Sequence, residues 1–267
     1  MTHRAPALAG SFYPASPSAL RQLLQRCWQD RRTLDVPPPK AMIAPHAGMI
    51  YSGPIAATAY ATLQPFAPRI ERVVLLGPSH HYGFEGFAIP AAETWSTPLG
   101  EVDIDQETLR QLAAREDVVV SDQAHAPEHS LEIQLPFLQH VLTTFSLVPV
   151  AVGRIDPEAG ASLLRTVWGG DETLIVISSD LSHFFDQETA QTVDRQTTRT
   201  IEAMDADAML AEDACGRYPI SGLLAEARRR NMSMQTADIR TSADTAGDPS
   251  RVVGYGSYLF WAPDGTQ

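Results

Sequence analysis

The sequence predicts an α/β fold with a mainly parallel central sheet flanked by helices, and three observations predict it. Four short runs rich in Val, Ile and Leu lack strict apolar–polar alternation, which suits strands buried on both faces. Helical patterns separate these runs along the chain. The runs end in loops that carry Gly, Pro, Ser and His, as segments do that line the crevice outside the carboxyl ends of parallel strands.

Taken in order, an amphipathic run containing "LRQLLQRCWQD" predicts a helix over 17–29, and "PPP" at 37–39 is a short stiff connector. The first core strand is "AMIAPHA" (41–47), followed by a helix over 54–63 and the strand "RVVLLGPS" (72–79). Helical patterns at 105–115 and 128–142 lead to the strand "SLVPVAVG" (146–153). A helix over 157–168 precedes "TLIVISSD" (173–180), and further helices cover 187–204 and about 219–230. The closing runs "SMQTADIRT" and "RVVGYGSYLFW" read as strands, antiparallel at a sheet edge, joined by the Gly- and Ser-containing loop 241–250. With neither an internal repeat nor a low-complexity break, the chain reads as a single domain over 1–267.

At 267 residues and 44% hydrophobic, the chain is long enough to bury a sizeable core. A formal charge of −12 argues against nucleic acid as a partner, because phosphate contacts need clustered Lys and Arg. The one basic run, "RRR" at 228–230, reads as a solvated helix end. No signal-peptide-like apolar stretch opens the sequence, and no run of about 18 apolar residues suits a membrane span. The expectation is therefore a soluble, cytoplasmic protein. Two cysteines, Cys27 and Cys215, exclude a disulfide framework.

The reactive side chains collect where the strands stop. The first core strand ends in Pro45 and His46, the second in Ser79, His80 and His81, and the fourth in Asp180 followed by Ser182 and His183. If those strands are parallel neighbours, the imidazoles share one rim, and converging neutral imidazoles suit a transition metal. Only one of His80 and His81 can face that rim, because neighbours in extended chain point opposite ways. Cys215 in "DACGRYPIS" precedes a helix start and lies near backbone N–H groups, and that environment, or a metal, lowers a thiol pKa and favours thiolate. Cys27 reads as plain packing. His129 and Glu132 in "EHSLEIQLPFL" are three residues apart on a helix face, either as metal ligands or as an imidazole oriented by a carboxylate. Tyr13, Tyr51, Tyr82 and Trp95 lie near the rim in sequence and could line a pocket. A serine hydrolase is disfavoured, since "VISSDLSH" holds its Ser, Asp and His side by side and no GxSxG turn is present.

Taken together and in this order, "AGSFYP", "IAPHAGMIYSG", "LLGPSHH", "EHSLEIQLPFL", "ISSDLSHF" and "CGRYPI" resemble the MEMO family, whose bacterial and archaeal members are labelled AmmeMemoRadiSam system protein B. The resemblance spans nearly the whole chain. It implies a fold similar to the class III extradiol dioxygenases, nonheme iron enzymes that open catechol rings. It places the family's metal-site residues on His46, His80 and Cys215, an acid/base histidine on His183 with Asp180 beside it, and a further cleft histidine on His129. Iron, the metal of the ring-opening enzymes, comes first; because cysteine stands where those enzymes have a carboxylate, copper and zinc are alternatives. Tyr218 stands where some relatives carry histidine.

The resemblance thus implies a metal-dependent redox enzyme acting on a small substrate, in which Asp180 orients His183. The alternative is an adaptor or metal-handling protein that uses the same cleft for a peptide or an ion. The family label implies association with a radical SAM protein and an AMMECR1-like protein.

Overall fold

A computed structural model describes residues 2–210 and 213–263. The expected α/β class is found, as a twelve-stranded mixed sheet among these residues. From one end to the other its main path runs His3–Arg4, Thr94–Thr97, Gly100–Ile104, Ser146–Val152, Arg72–Pro78, Thr173–Ser178, Ala41–Ala44, Val252–Trp261 and His183–Phe185. The five strands from Gly100–Ile104 to Ala41–Ala44 are mutually parallel. Ala41–Ala44 and Thr173–Ser178 are buried at every position, which is why their sequences show no alternation. The two closing strands, Ser233–Thr241 and Val252–Trp261, pair antiparallel, and the second joins them to Ala41–Ala44.

Helices cover the sheet in two groups. Met49–Ala61 packs against Pro17–Gln29, and Arg217–Arg229 packs against Pro157–Val167 while touching the strands Arg72–Pro78 and Thr173–Ser178. Local chemistry sets several starts: Asp105, Asp156 and Asp186 each accept a hydrogen bond from the backbone N–H three residues on, so Gln106–Ala113, Pro157–Val167 and Gln187–Glu202 begin there. Arg217–Arg229 approaches its neighbour closely because both chains are glycine at the crossing; a Cβ on Gly222 would lie 2.7 Å from the Cα of Gly160.

Three expectations need correction. The helix expected over 54–63 starts at Met49, with Pro54 inside it. Pro54 is the sixth residue of this helix, so it removes one intrahelical hydrogen bond, the one its N–H would make to the Ile50 carbonyl, in addition to the four N–H groups that lack partners in any helix. The helix expected over 128–142 is two pieces, His129–Glu132 and Leu135–Val141, with Pro136 opening the second. The "RRR" run is not simply solvated, because Arg229 and Arg230 both pair with the buried Glu226. Phe87–Ile89, Thr94–Thr97, Gly100–Ile104 and Val118–Val120 are strands the sequence did not announce. Three to five residues are too few for a clear periodic signal.

No helix among the described residues is long and apolar enough to cross a membrane. Gly222→Ala will force the two helices apart and lower stability by about 1–3 kcal/mol. A denaturant midpoint equal to that of the parent would contradict the close crossing.

Candidate metal site

Three adjacent parallel strands, Arg72–Pro78, Thr173–Ser178 and Ala41–Ala44, end on one side of the sheet. Their carboxyl ends deliver His80 and His46 to a common place, as expected of imidazoles at neighbouring parallel strand ends, with Asp180 against the loop of His46. The loop before Arg217–Arg229 adds Cys215, and ligand atoms of His46, His80 and Cys215 all lie within 4.8 Å of one another. Cys215 reaches the strand ends because the next residue is glycine: a Cβ at Gly216 would lie 2.6 Å from the Cβ of Ser179.

The hydrogen bonds decide which ring atoms are available. The Ser178 hydroxyl donates its proton to the Ser130 carbonyl at 2.5 Å. It must therefore accept from its other neighbours, the Gln134 side-chain amide at 2.8 Å and His46 Nδ1 at 3.0 Å. The His46 proton is thus on Nδ1, leaving Nε2 bare at 3.1 Å from Cys215 Sγ. His80 is held in the same fashion: its backbone N–H donates to Glu128 Oε2 at 2.7 Å and its Nδ1 to Oε1 at 2.9 Å. Its Nε2 is likewise the atom left to bind. A carboxylate holding one imidazole nitrogen while the other stays free is the usual support for a metal-binding histidine.

The donor set fits a transition ion. A nitrogen and a sulfur bound tetrahedrally at about 2.05 and 2.3 Å would be ~3.5 Å apart, close to the 3.1 Å between His46 and Cys215. Glu128, His80 and His129 form a second group with ligand atoms in range of one another. Glu128 there already accepts from the Ser130 N–H as well as from His80, and its role is to hold the imidazole.

Burial governs the charges. It drives His46 well below the ordinary imidazole value, aided by the nearby His80 and His129. His129 is pushed down to about 4, first by burial and then by His80. His183 is lowered by burial too, so these three rings are neutral at pH 7. For Glu128 burial acts upward, but hydrogen bonds and charge from His80 prevail and hold it well below the carboxylate range. Asp180 is raised to about 7 by burial, against the N–H bonds of His46 and Ala47. The Cys215 thiol is pushed up by burial and by Asp180, although the Asp180 N–H points at its sulfur from 3.3 Å. Burial thus outweighs the nearby N–H groups and favours the thiol, contrary to the part of the sequence reading that rested on the helix-start setting.

The remaining sequence candidates separate. Asp180 does not orient His183: its Oδ1 accepts from the His46 N–H at 2.7 Å and the Ala47 N–H at 3.3 Å, bracing the loop that carries His46. The imidazole of His183 lies edge-on to Phe184, which is 62% exposed and adopts a left-handed φ of 68° that bulky residues rarely take. His129 stacks on His80 with ring centres 4.3 Å apart, and His81 stays exposed behind it. Glu132 does not partner His129. It is fully buried and accepts from Arg4, the Tyr13 hydroxyl and the N–H groups of Ala7 and Leu8. Tyr13 and Trp95 are accordingly core residues and line no pocket rim. Sequence reasoning missed Ser178, Gln134 and Glu128, which fix the ring orientations; "EHS" pointed to its histidine while the glutamate beside it carried the hydrogen bonds.

A family model described as Memo-like protein matches residues 4–259. A MEMO1 family protein of Methanococcoides burtonii is 35% identical over 96% of this chain and 99% of its own length. One from Methanopyrus kandleri is also 35% identical, over 96% and 98%. Among solved structures, an uncharacterized protein of Escherichia coli K12 superposes with a TM-score of 0.54 over 82% of this chain and 98% of its own, at 11% identity, a likeness of fold alone.

Two outcomes test the site. Glu128→Gln will weaken zinc binding by roughly 10–100-fold, read by competition with a chelator, through loss of the ring's support. Because the Cys215 thiol is raised, binding must displace its proton at neutral pH. Apparent affinity should then climb about tenfold per pH unit between pH 6 and 8, and a flat profile would mean that the sulfur takes no part.

Proposed function

The chain belongs to the Memo family, and from that premise and the meeting of His46, His80 and Cys215 we propose a metal-dependent redox enzyme acting on a small substrate, with iron as the first candidate and copper or zinc as alternatives. The observation that carries this reading is the pair of bare Nε2 atoms beside a thiol, each imidazole held by its other nitrogen. Two imidazoles and one sulfur make an incomplete set that leaves room for substrate or water.

In this reading His46, His80 and Cys215 hold the ion, while Ser178 and Glu128 fix the two rings. A redox-active ion at this place supplies one-electron chemistry and draws charge from a bound substrate. His183 is a proton acceptor in the resting site, since burial keeps its ring neutral, and it can return the proton later. His129, neutral and stacked on His80, limits water on that side. Asp180 keeps the His46 loop in place and, raised to about 7, can itself exchange a proton near neutrality. The thiolate in place of a third hard ligand favours softer ions and lower potentials than a carboxylate would.

A second reading, an adaptor or metal-handling protein with radical SAM and AMMECR1-like partners, draws support from the exposed Phe184 and Tyr82 beside His183 and His81. Exposed aromatics of this kind suit a partner surface.

His80→Ala and Cys215→Ser will each lower the iron or copper content of purified protein to well below one ion per chain with the circular-dichroism spectrum unchanged. His183→Ala will retain the metal and lose substrate-dependent oxygen uptake. Full metal content in both ligand variants would end the proposal. Oxygen uptake that never appears, together with partner capture that survives His183→Ala, would favour the adaptor.

A further inference from the structure

Of the 20 lysine and arginine residues in the chain, a single one, Lys40, is lysine. It stands directly before the strand Ala41–Ala44, at the end of the sheet opposite the histidines. Its backbone is fixed on both sides, the N–H donating to Phe260 at 2.8 Å and the carbonyl accepting from Ile175 at 3.0 Å. The side chain donates to the carbonyls of Gly170 and Thr173, each at 2.6 Å. Its nitrogen lies 5.6 Å from the centre of the Trp168 ring, which the Arg230 guanidinium approaches to 4.2 Å.

These residues border a cavity of about 790 Å³ that Phe66, Arg69 and Trp261 also line. Its size is that of small-molecule sites. Arg230 is committed to Glu226, whereas Arg69 is exposed and has no acidic partner among the described residues. The cavity therefore offers aromatic surface, one amine and the Arg69 cation, with the Asp171 carboxylate also on its wall.

What lysine can do here and arginine cannot is lose its proton. A neutral amine has two N–H bonds and one lone pair. Two backbone carbonyls take both N–H bonds at Lys40, so the lone pair is what remains for a ligand. Burial lowers the amine to about 8, against the pull of Glu172 and Asp171, so the neutral form is present at physiological pH.

We propose that this cavity is a carbonyl-capture site, in which the Lys40 amine forms an imine with an aromatic aldehyde bearing an anionic group. The nitrogen lone pair bonds to the carbonyl carbon and the π pair moves to oxygen. Both amine protons leave with that oxygen as water, and the C=N bond replaces C=O. The aromatic side chains accept the ring, and Arg69 pairs with the anion. This site is independent of the metal centre.

The test uses 4-formylbenzoate with cyanoborohydride, which reduces the imine to a stable secondary amine, on the full metal-loaded chain. With one lysine present, only Lys40 and the terminal α-amino group can be labelled, and peptide mapping separates them. At pH 7 Lys40 in the folded protein should be labelled roughly tenfold or more faster than Lys40 in guanidinium-unfolded chain, with a rate profile centred near 8 instead of the ordinary lysine value of about 10.4. Lys40→Arg should abolish that label and leave metal content intact. Arg69→Ala should slow 4-formylbenzoate and leave benzaldehyde unaffected. Folded and unfolded rates that agree, a profile centred above 10, or label confined to the α-amino group would overturn the proposal, and equal effects of Arg69→Ala on both aldehydes would overturn its anion preference.

Discussion

A serine hydroxyl has one proton to give, and where Ser178 gives it determines the rest of the site. Because that proton goes to the Ser130 carbonyl, the oxygen has only acceptor capacity for Gln134 and His46. Gln134 in turn donates to the Pro45 carbonyl and accepts from Tyr60, so the residue preceding His46 is tied to the same network. One hydroxyl thus joins the end of a central strand, the short helix His129–Glu132 and the loop of His46. With every member satisfied, such a buried network is rigid, and rigidity is what holds a ring nitrogen aimed at an ion.

A second network holds the first in register. Arg4, from the short strand at the far end of the sheet, donates to Glu132 and to the carbonyls of His125 and Glu128. Tyr13 and the N–H groups of Ala7 and Leu8 complete the shell around Glu132, and Met49 donates back to Phe12. The N-terminal segment therefore clamps the stretch that supplies Glu128, His129 and Ser130. The charge pair is fully desolvated, and its value lies in fixing this one arrangement more than in net stability.

The class of fold was legible in the sequence because buried parallel strands leave a strong compositional trace. The convergence of His46 and His80 was legible too, since parallel strands end on the same side. What the sequence could not convey was the identity of each polar partner. His129 and Glu132 do lie one turn apart, yet the turn is the first of a helix that Pro136 cuts short, and Glu132 turns to Arg4 across 128 residues of chain. Asp180 is three residues from His183 in sequence, but its carboxyl caps the N–H groups of a different strand's loop. "AGSFYP" offered no local chemical signal because its function is to receive a carboxylate from elsewhere. Contacts made across the sheet have no period, and only the register of the strands decides them.

The two carboxylates of the site show what the arrangement lacks by itself. Glu128 meets donors on both oxygens and stays ionised despite its burial. Asp180 has only backbone N–H partners on Oδ1, with His46 Nε2 at 4.0 Å from Oδ2, and rises toward neutrality. Its charge also opposes ionisation of Cys215, whose sulfur its own N–H approaches. In the ion-free pocket a negative Asp180 and a negative Cys215 therefore disfavour each other, and each is disfavoured by burial. A single cation between the His46 and Cys215 ligand atoms would relieve both penalties at once, since it is attracted to each charge and replaces the water each has lost. A fixed network orients the two imidazoles, while burial disfavours the charged forms of the Asp180 carboxyl and the Cys215 thiol beside them. A group of opposite charge placed among them would offset both penalties, which is the electrostatic argument behind the proposed metal site.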